Sequence, residues 1–228
     1  MVSIITVVYN AKDALEQTIL SVINCARSIE FIVIDGGSTD GTVDVIKKYQ
    51  DHISHWRSKP DDGIYDAMNK GWNKADINNH ILFLGAGDTI IELPADVDLK
   101  ADCIYFGEVA IGDKRVFKSK FDFRLKIGNT MHHQALLIPK KLHPPPPFNT
   151  TYKVYADFDF NQRLLKNKAR FIHSDRLRSY VMPDGISQHF KTMEWYYIIK
   201  NNFGPLHAIL GYMYQRFQIM RKRAPGIK

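Results

Sequence analysis

The first ninety residues alternate short apolar runs with segments of helical periodicity. Val2–Val8 predicts a buried strand, and the following Asn10 is placed to cap a helix. Phe31–Ile34 and His80–Leu84 predict two further strands. Between them, apolar positions recur at helical spacing: Leu15, Ile19, Val22, Ile23 and Ala26, then Val43, Val45, Ile46 and Tyr49. This alternation predicts an α/β fold with a mostly parallel, doubly wound central sheet flanked by helices.

The alternation fades beyond about residue 90, so the second half is predicted to be mixed. Its candidate strands are Cys103–Phe106, Val116–Lys118, Gln134–Ile138 and Phe171–Ile172. Four consecutive prolines within residues 143–148 predict an extended loop, because proline cannot donate a ladder hydrogen bond. Asp157–Lys168 can form a helix, and Thr192–Met220 is also compatible with helix, with a break at Gly204–Pro205.

Composition narrows the class of protein. The chain has 228 residues, of which 45% are hydrophobic and 24% charged, which fits one globular domain and excludes disordered, collagen-like and coiled-coil chains. Cys25 and Cys103 are far apart and form no CxxC pair, so a disulfide framework and a zinc site are not expected. The start of the chain has no secretory pattern and no apolar run approaches about 18 residues, which predicts a cytoplasmic protein.

Positive charge is concentrated near the C-terminus. The chain carries 31 Lys and Arg against 24 Asp and Glu, and residues 191–228 hold seven of those bases but only one acid, Glu194. The same segment interleaves aromatic with basic side chains, a pattern suited to a membrane surface with anionic lipid. The alternatives are aromatics packed on the domain with a solvated basic end, and RNA binding, for which the sequence offers no recognised module.

Three polar segments follow the predicted strands, at the edge where open parallel sheets bind ligands. They are residues 6–10, 35–40 and 85–88. A carboxylate at such an edge can accept from a base or a ribose, or ligate a hard cation. The glycines after Asp35 permit close approach of the backbone to a ligand, and the helix beyond offers N–H groups to phosphate. For Ser38, Thr39 and Asp40 we favour capping of the turn.

Four motifs stand in a fixed order: IITVVYN, IDGGSTDGT, KPDDGIYDAMNKG and LFLGAGD. Together they closely resemble the family 2 glycosyltransferases with the GT-A fold, especially small bacterial members that build capsule, O-antigen or exopolysaccharide units. The resemblance is strong over residues 2–90 and continues more loosely through HHQALLIP, YADFDFNQRL and DGIS. It implies a GT-A (Rossmann-like) domain over residues 1–190, with a nucleotide-sugar half (1–90) and an acceptor half (91–190), followed by a helical tail (191–228).

The resemblance implies a nucleotide-sugar site at the first two strands. Asp35 would accept a hydrogen bond from the nucleobase, normally uracil in this family, and Thr6 and Tyr9 would line the same pocket. The alternative for Asp35 is to cap its own turn, which we consider the weaker interpretation.

The third motif, KPDDGIYDAMNKG, is implied to reach the donor. Asp66 is the preferred donor contact, and Asn69, three residues on, would share its helix face. Lys70 is a further candidate, Asp62 is a plausible helix cap, and Tyr65 can equally serve packing.

The fourth motif supplies the implied metal site. Asp88 would ligate Mg²⁺ or Mn²⁺, so that the donor diphosphate is neutralised and can depart. Family members usually carry Asp-x-Asp here, whereas this chain has Ala86 at the first position. Strict metal dependence is therefore left open.

The base for an inverting transfer is predicted in the second half of the chain. Asp157 stands where relatives place an acidic residue ahead of a helix, and Asp159 is the fallback. The alternative role for Asp157 is a helix N-cap. His133 and Gln134 resemble an acceptor-side HQ element, His132 is undecided, and for His189 exposure to solvent is the favoured interpretation.

These expectations add up to an inverting glycosyltransferase. It would move a hexose or N-acetylhexosamine from a nucleotide sugar, a UDP-sugar by family habit, to an undecaprenyl-diphosphate-linked saccharide at the membrane surface, with no role for nucleic acid. One alternative is a degenerate transferase that acts as a binding scaffold, prompted by Ala86. The other is a sugar-nucleotidyltransferase, although no Gly-rich, Arg-containing phosphate loop follows Val8.

Overall fold

One mixed sheet connects the two halves of the chain. The computed structural model describes residues 1–25, 27–113, 115–166, 169–183 and 192–223. The strands in these residues are β1 (Val2–Val8), β2 (Ile29–Asp35), β3 (His55–Ser58), β4 (His80–Gly85), β5 (Thr89–Glu92), β6 (Cys103–Ile111), β7 (Arg115–Lys118), β8 (Leu136–Pro139) and β9 (Arg170–Val181). The α-helices are α1 (Lys12–Ile23), α2 (Thr42–Lys48), α3 (Ile64–Lys74), α4 (Ala156–Leu164), α5 (Thr192–Phe203) and α6 (Pro205–Arg223).

The order of strands brings several chain segments to one edge of the sheet. The order is β3-β2-β1-β4-β8-β6-β9-β5, with β7 paired to β6. The first four strands are parallel, so β1, β2, β3 and β4 all end at the same edge. β8 runs antiparallel to β4 and therefore begins at that edge. Residues just before β8 thus lie beside residues just after β4, although some fifty positions separate them in sequence.

Side-chain alternation along β1 gives each sheet face its own core. Ile4 and Val8 pack with Leu15 and Ile19 of α1 on one face, while Ile5 packs with the layer of α3 and α4 on the other. All but Val8 of these five side chains are completely buried, and Val8 nearly so. Burial of this size is the main stabilising contribution to such a fold. The predicted α/β class with a mostly parallel first half and a mixed second half is confirmed.

The predicted elements differ from the structure mainly at short or edge strands. β3 and β5 were not predicted from the apolar pattern, because each strand has only four residues and none of these residues is fully buried. β9 is far longer than the apolar pair Phe171–Ile172, because it continues as an alternating strand to Val181. The proline segment is a loop, as predicted, and the tail breaks at Gly204, whose positive φ of 86° suits glycine.

The predicted cap of α1 is wrong. The helix begins at Lys12, and its N-cap position is Ala11. Asn10 has a positive φ of 47° and turns its side chain to the neighbouring loop, where Oδ1 accepts from the Thr39 N–H at 2.9 Å. Asp40 instead accepts from the N–H of Lys12 at 3.1 Å. Asn10 therefore links two strand-end loops rather than starting the helix.

The first C-terminal helix, α5, packs into the core of the domain. Ile198 and Ile199 of α5 are completely buried and share a core with Phe158 of α4. The predicted boundary at residue 190 falls outside the described residues. In the part of the chain that the structure describes, no helix combines the length and apolarity needed to cross a bilayer.

Candidate active site

The end of β2 forms a turn that is organised by Asp35. This side chain has no exposed surface, and its Oδ2 accepts from the backbone N–H groups of Gly37 at 3.1 Å and Ser38 at 3.0 Å. Ser58, at the end of β3, donates to the same oxygen at 2.6 Å, and the Ser38 hydroxyl donates to Oδ1. The structure therefore shows the turn-capping role that sequence analysis had considered the weaker interpretation. A role for Asp35 as a nucleobase acceptor stays a prediction.

Beside this turn, Gly36 lies between an aromatic ring and a carboxylate. A Cβ at Gly36 would stand 3.3 Å from Cδ2 of Tyr9 and 3.5 Å from Oδ2 of Asp61. The Tyr9 side chain is 65% exposed, so its ring is available to a ligand. Asp61 Oδ2 is buried and has no hydrogen-bond partner. The missing side chain at Gly36 thus leaves a slot walled by an aromatic face and an acceptor oxygen that lacks a donor.

Lys70 joins two carboxylates at the start of α3. Its Nζ lies 2.6 Å from Asp66 Oδ2 and also bonds Asp61 Oδ1. Burial alone would raise the pKa of Asp66, but the hydrogen bonds from Lys70 and from the Asp62 N–H hold the pKa below its ordinary value. Asp62 contributes its backbone N–H, at 3.0 Å, and its side chain does not cap α3, whose N-cap is Gly63. Asp66 therefore serves the helix start as well as Lys70.

Of the proposed donor contacts, Thr6 is buried in the core and Asn69 is hydrogen-bonded within the protein. Thr6 is completely buried on the strand face that packs against α1, and its Oγ1 has no hydrogen-bond partner. The Asn69 amide pairs in both directions with the backbone of Phe148, donating at 2.8 Å and accepting at 3.0 Å. Asn69 thus fixes the end of the proline loop, and contact of either side chain with the donor stays a prediction.

Asp88 lies just beyond β4 and is held from two sides. Its Oδ2 accepts from the Gly85 N–H at 2.7 Å and from Gln134 Nε2 at 3.0 Å. Burial is the largest influence on the carboxyl and raises its pKa, which these donors only partly offset. Gln134, expected on the acceptor side, therefore belongs to the immediate surroundings of the candidate metal ligand.

Asp157 occupies the first turn of α4 and faces three polar groups. Its Oδ2 accepts from Asn129 Nδ2 at 3.1 Å and lies 3.8 Å from His133 Nδ1, while the Tyr65 hydroxyl lies 3.3 Å from Oδ1. Burial is the largest influence and would raise the pKa of Asp157, but His133, His132 and the backbone N–H of Phe158 together outweigh it and hold the pKa below its ordinary value. The carboxylate form, which a general base requires, is therefore favoured.

His132 and Asp159 take structural roles. Burial, followed by the charge of His133, lowers the pKa of His132 to about 4, so this ring is neutral at pH 7. It packs edge-on to Phe117 with ring centroids 5.4 Å apart. Asp159 points to another face of α4, where its Oδ2 pairs with Arg163 at 2.8 Å. His189 and the DGIS motif lie outside the described residues.

A cation at Asp88 would have one protein carboxylate available. Among the described residues, no three His, Cys, Asp or Glu side chains come together as a metal-binding group. Mg²⁺ commonly uses one or two carboxylates together with water and substrate phosphates, and this donor set fits such a cation. Asp88 would hold it, and the ligands that Asp88 cannot supply would come from a diphosphate and from water.

Sequence reasoning missed three members of the site: Asp61, Tyr65 as a partner of Asp157, and Asn129. Asp61 lies inside the motif KPDDGIYDAMNKG, in which the sequence analysis named its neighbour Asp62 as a helix cap and assigned no role to Asp61. Tyr65 and Asn129 reach Asp157 across 92 and 28 positions, respectively, so no local pattern marks them. Only the tertiary packing of α3 and of the segment around Asn129 against α4 reveals these two contacts.

Comparison with known proteins gives a match to one family in the first half of the chain. The family described as Glycosyl transferase family 2 matches residues 3–91. A PGL/p-HBAD biosynthesis glycosyltransferase of Mycobacterium bovis is 31% identical over 160 residues, which cover 63% of this chain. The matched part makes up 62% of that relative, so the chain spans less than two thirds of its length.

Solved structures share the fold at low sequence identity. The structure of S. aureus TarS residues 1–349 in complex with UDP-GlcNAc has a TM-score of 0.69 at 16% identity, covering 91% of this chain and 69% of that one. The mannosyltransferase PcManGT from Pyrobaculum calidifontis, in complex with GDP-Man and Mn²⁺, has a TM-score of 0.57 at 14% identity and covers 95% and 64%. Residues 3–91 therefore carry the signature of glycosyl transferase family 2, and the chain has the GT-A fold that these glycosyltransferases share.

Proposed function

We propose that this protein transfers a hexose or N-acetylhexosamine from a UDP-sugar to a hydroxyl of a lipid-linked saccharide, with inversion at the anomeric carbon. One observation carries the proposal. His133 and Gln134 are consecutive residues: His133 Nδ1 lies 3.8 Å from Asp157 Oδ2, and Gln134 Nε2 lies 3.0 Å from Asp88 Oδ2. One short turn therefore contacts both the candidate base and the carboxylate that would lie near the donor diphosphate. Transfer of a glycosyl group needs both functions side by side.

The nucleoside would bind at the ends of β1 and β2. The slot at Gly36 has the Tyr9 ring on one side and Asp61 Oδ2 on the other. A flat base can stack on such a ring, and a ring N–H, as uracil has at N3, would satisfy the unpartnered oxygen. The UDP-GlcNAc complex of TarS, which shares this fold, supports a uridine nucleotide as the first choice.

Asp157 would act as the general base. The acceptor hydroxyl gives its proton to the Asp157 carboxylate while its oxygen forms the new bond to the anomeric carbon. The bond from that carbon to the diphosphate oxygen breaks, and the nucleoside diphosphate leaves with the electron pair. Asn129 and Tyr65, at 3.1 Å and 3.3 Å, would keep the carboxylate aimed during this step. A divalent cation, when bound at Asp88, neutralises charge on the leaving diphosphate.

The acceptor would be reached from a membrane surface through α6. Five apolar side chains recur on one side of this helix at spacings of four and three residues, and each is about half exposed or more: Leu206, Leu210, Met213, Phe217 and Met220. Residues 191–228 also carry a net charge of +6. An apolar stripe in a basic segment suits the boundary of a bilayer with anionic lipid, so peripheral attachment at the cytoplasmic face is part of the proposal.

Calorimetric titration with UDP, GDP and dTDP, each with and without Mn²⁺, tests the donor side. Selective UDP binding that Mn²⁺ strengthens is the expected result. Turnover of a UDP-sugar by wild type but not by D157N, with UDP affinity retained, would support Asp157 as base. Normal UDP binding without turnover by wild type would favour the scaffold interpretation, and release of pyrophosphate from UTP with a sugar phosphate would favour a nucleotidyltransferase.

A further inference from the structure

A glutamate on α5 holds the segment that leads into α4. Glu194 Oε1 accepts from the backbone N–H groups of Val154 at 2.8 Å and Tyr155 at 2.7 Å, and Oε2 accepts from the Lys153 N–H at 3.1 Å. Tyr155, the N-cap residue of α4, provides no side-chain cap. One carboxylate from another helix therefore accepts from three consecutive backbone N–H groups that lead into α4. Its negative charge also interacts favourably with the positive end of the α4 dipole.

Aromatic packing fixes α5 against the same turn. Trp195, next to Glu194, stacks on Phe158 with ring centroids 4.2 Å apart and meets Tyr155 edge-on at 5.2 Å. Further along α5, Asn202 donates to Asp159 of α4 at 2.9 Å. The polar contact of Glu194 is thus part of a continuous interface, and α5 cannot shift without moving the start of α4.

The held segment connects directly to the candidate base. The carbonyl of Val154 accepts from the Tyr65 hydroxyl at 2.8 Å, and the same hydroxyl lies 3.3 Å from Asp157 Oδ1. The backbone of Val154 is therefore held through its N–H by Glu194 and through its C=O by Tyr65. Asp157 follows three residues later, so its position depends on both contacts.

We propose that Glu194 is a positioning residue for Asp157, so that α5 contributes to the transfer reaction by holding the candidate base in place. This inference rests on the proposed function, in which Asp157 takes the acceptor proton. Loss of the three hydrogen bonds frees the segment before α4 and lets the carboxylate drift from the acceptor hydroxyl. A misplacement of about 1 Å can reduce turnover on the order of a hundredfold. The nucleotide slot at Gly36 is bounded by Tyr9 and Asp61, neither of which is among the groups that hold residues 153–155, so donor affinity is expected to stay constant.

Three variants separate positioning from general stability. E194A removes all three acceptor contacts, whereas E194Q keeps an amide oxygen that can still accept from Val154 and Tyr155. E16A is the matched control, because Glu16 is likewise a glutamate that joins two elements through hydrogen bonds. It lies on α1 and accepts from the side chains of Lys48, at 2.7 Å, and Tyr49, at 2.8 Å, at the end of α2. For each protein we would measure kcat and KM with the UDP-sugar, UDP affinity, Tm, and hydrogen exchange of the amides of residues 153–155.

The expected result is a fall in kcat of at least tenfold for E194A, with UDP affinity within twofold of wild type and faster exchange at residues 153–155. E194Q should recover much of both the turnover and the protection, and E16A should change neither. Equal kcat in E194A and E16A, or unchanged exchange in E194A, would overturn the inference. Failure of wild type to bind UDP or to turn over would instead contradict the proposed function, and the exchange comparison would still decide whether Glu194 holds the segment.

Discussion

Gln134 donates from Nε2 to Asp88 Oδ2 across 3.0 Å, and this bond joins the two halves of the chain at the candidate site. Asp88 follows β4 of the parallel half, whereas Gln134 precedes β8 of the mixed half. The backbone of Gln134 is itself fixed, because its carbonyl accepts from Ser179 Oγ on β9 at 2.7 Å. The mixed half thus determines the orientation of a carboxylate that the parallel half supplies.

Replacing Gln134 by Ala should weaken metal-dependent UDP binding. The Asp88 carboxylate would lose a donor that favours its charged form, so its pKa, already raised by burial, would rise further. Hydrogen bonds to charged groups contribute about 1.5–3 kcal/mol, which corresponds to at least tenfold in affinity. Calorimetry with UDP and Mn²⁺ measures the loss, and Q134E, which replaces the donor by a second carboxylate, should not restore wild-type affinity at neutral pH. Equal affinities of Q134A and wild type would contradict the assignment of Asp88.

Acid pH should affect donor binding before it affects the transfer step. Burial raises the pKa of Asp88, so this carboxylate is protonated at a higher pH than an ordinary Asp and then cannot hold a cation. The pKa of Asp157 is lowered, because His133, His132 and the backbone of Phe158 together outweigh the opposing effect of burial, so the base stays ionised to a lower pH. As pH falls, the KM for the UDP-sugar should rise while kcat at saturating donor is still constant. A kcat that falls first would contradict this order.

The slot at Gly36 predicts a substitution that acts on the nucleotide rather than on the fold. A Cβ there would touch the Tyr9 ring at 3.3 Å and Asp61 Oδ2 at 3.5 Å, and neither contact is a severe clash. G36A should therefore leave Tm nearly unchanged while UDP affinity falls several-fold. D61N should also reduce UDP affinity, because Lys70 would keep the amide oxygen at the position of Oδ1, so that an NH2 group would face the N–H of the base. Affinity that is unaffected by both changes would exclude the slot as the nucleobase site.

The sequence predicted the fold class and the edge at which the parallel strands end, but not the contacts that each side chain makes there. Strands β1, β2 and β4 have long buried runs, so their shared edge follows from pattern alone. Whether Asp35 faces a ligand or its own turn depends on Ser58 of β3, a short strand without an apolar pattern. The pairing of Asn69 with Phe148 likewise depends on a contact across 79 positions. Such roles are decided by packing and leave no local signal.

Gly71 should be indispensable to the packing of α3 on the sheet. A Cβ at this position would stand 2.4 Å from Cγ2 of the fully buried Ile5 on β1. G71A should lower the free energy of unfolding by about 1–3 kcal/mol, because the overpacked core must shift. Asn73 is exposed on the same helix, so N73A is the control and should be neutral or slightly stabilising. Chemical denaturation of both variants measures the difference, and equal stability would show that α3 can move away from β1 at little cost.

Substitutions on α6 test the proposed membrane surface. L206S, M213S and M220S, combined in one variant, remove three apolar side chains that are 68%, 62% and 60% exposed. Because most of the surface of each side chain is exposed, the variant should keep its Tm and its UDP affinity. Burial of apolar surface contributes about 25 cal/mol per Å², so loss of three such side chains should weaken attachment to vesicles at least tenfold.

The control variant carries I77S, V97S and V116S, which remove apolar side chains outside α6 that are 52%, 91% and 55% exposed. Co-sedimentation with vesicles of phosphatidylglycerol and phosphatidylcholine measures binding, and vesicles of phosphatidylcholine alone test the contribution of charge. Wild type and the control variant should bind anionic vesicles, with binding weakened by salt because residues 191–228 are strongly basic. The membrane assignment would be contradicted if wild type did not bind vesicles but formed dimers through α6. The apolar stripe would then be covered by a second copy of the chain.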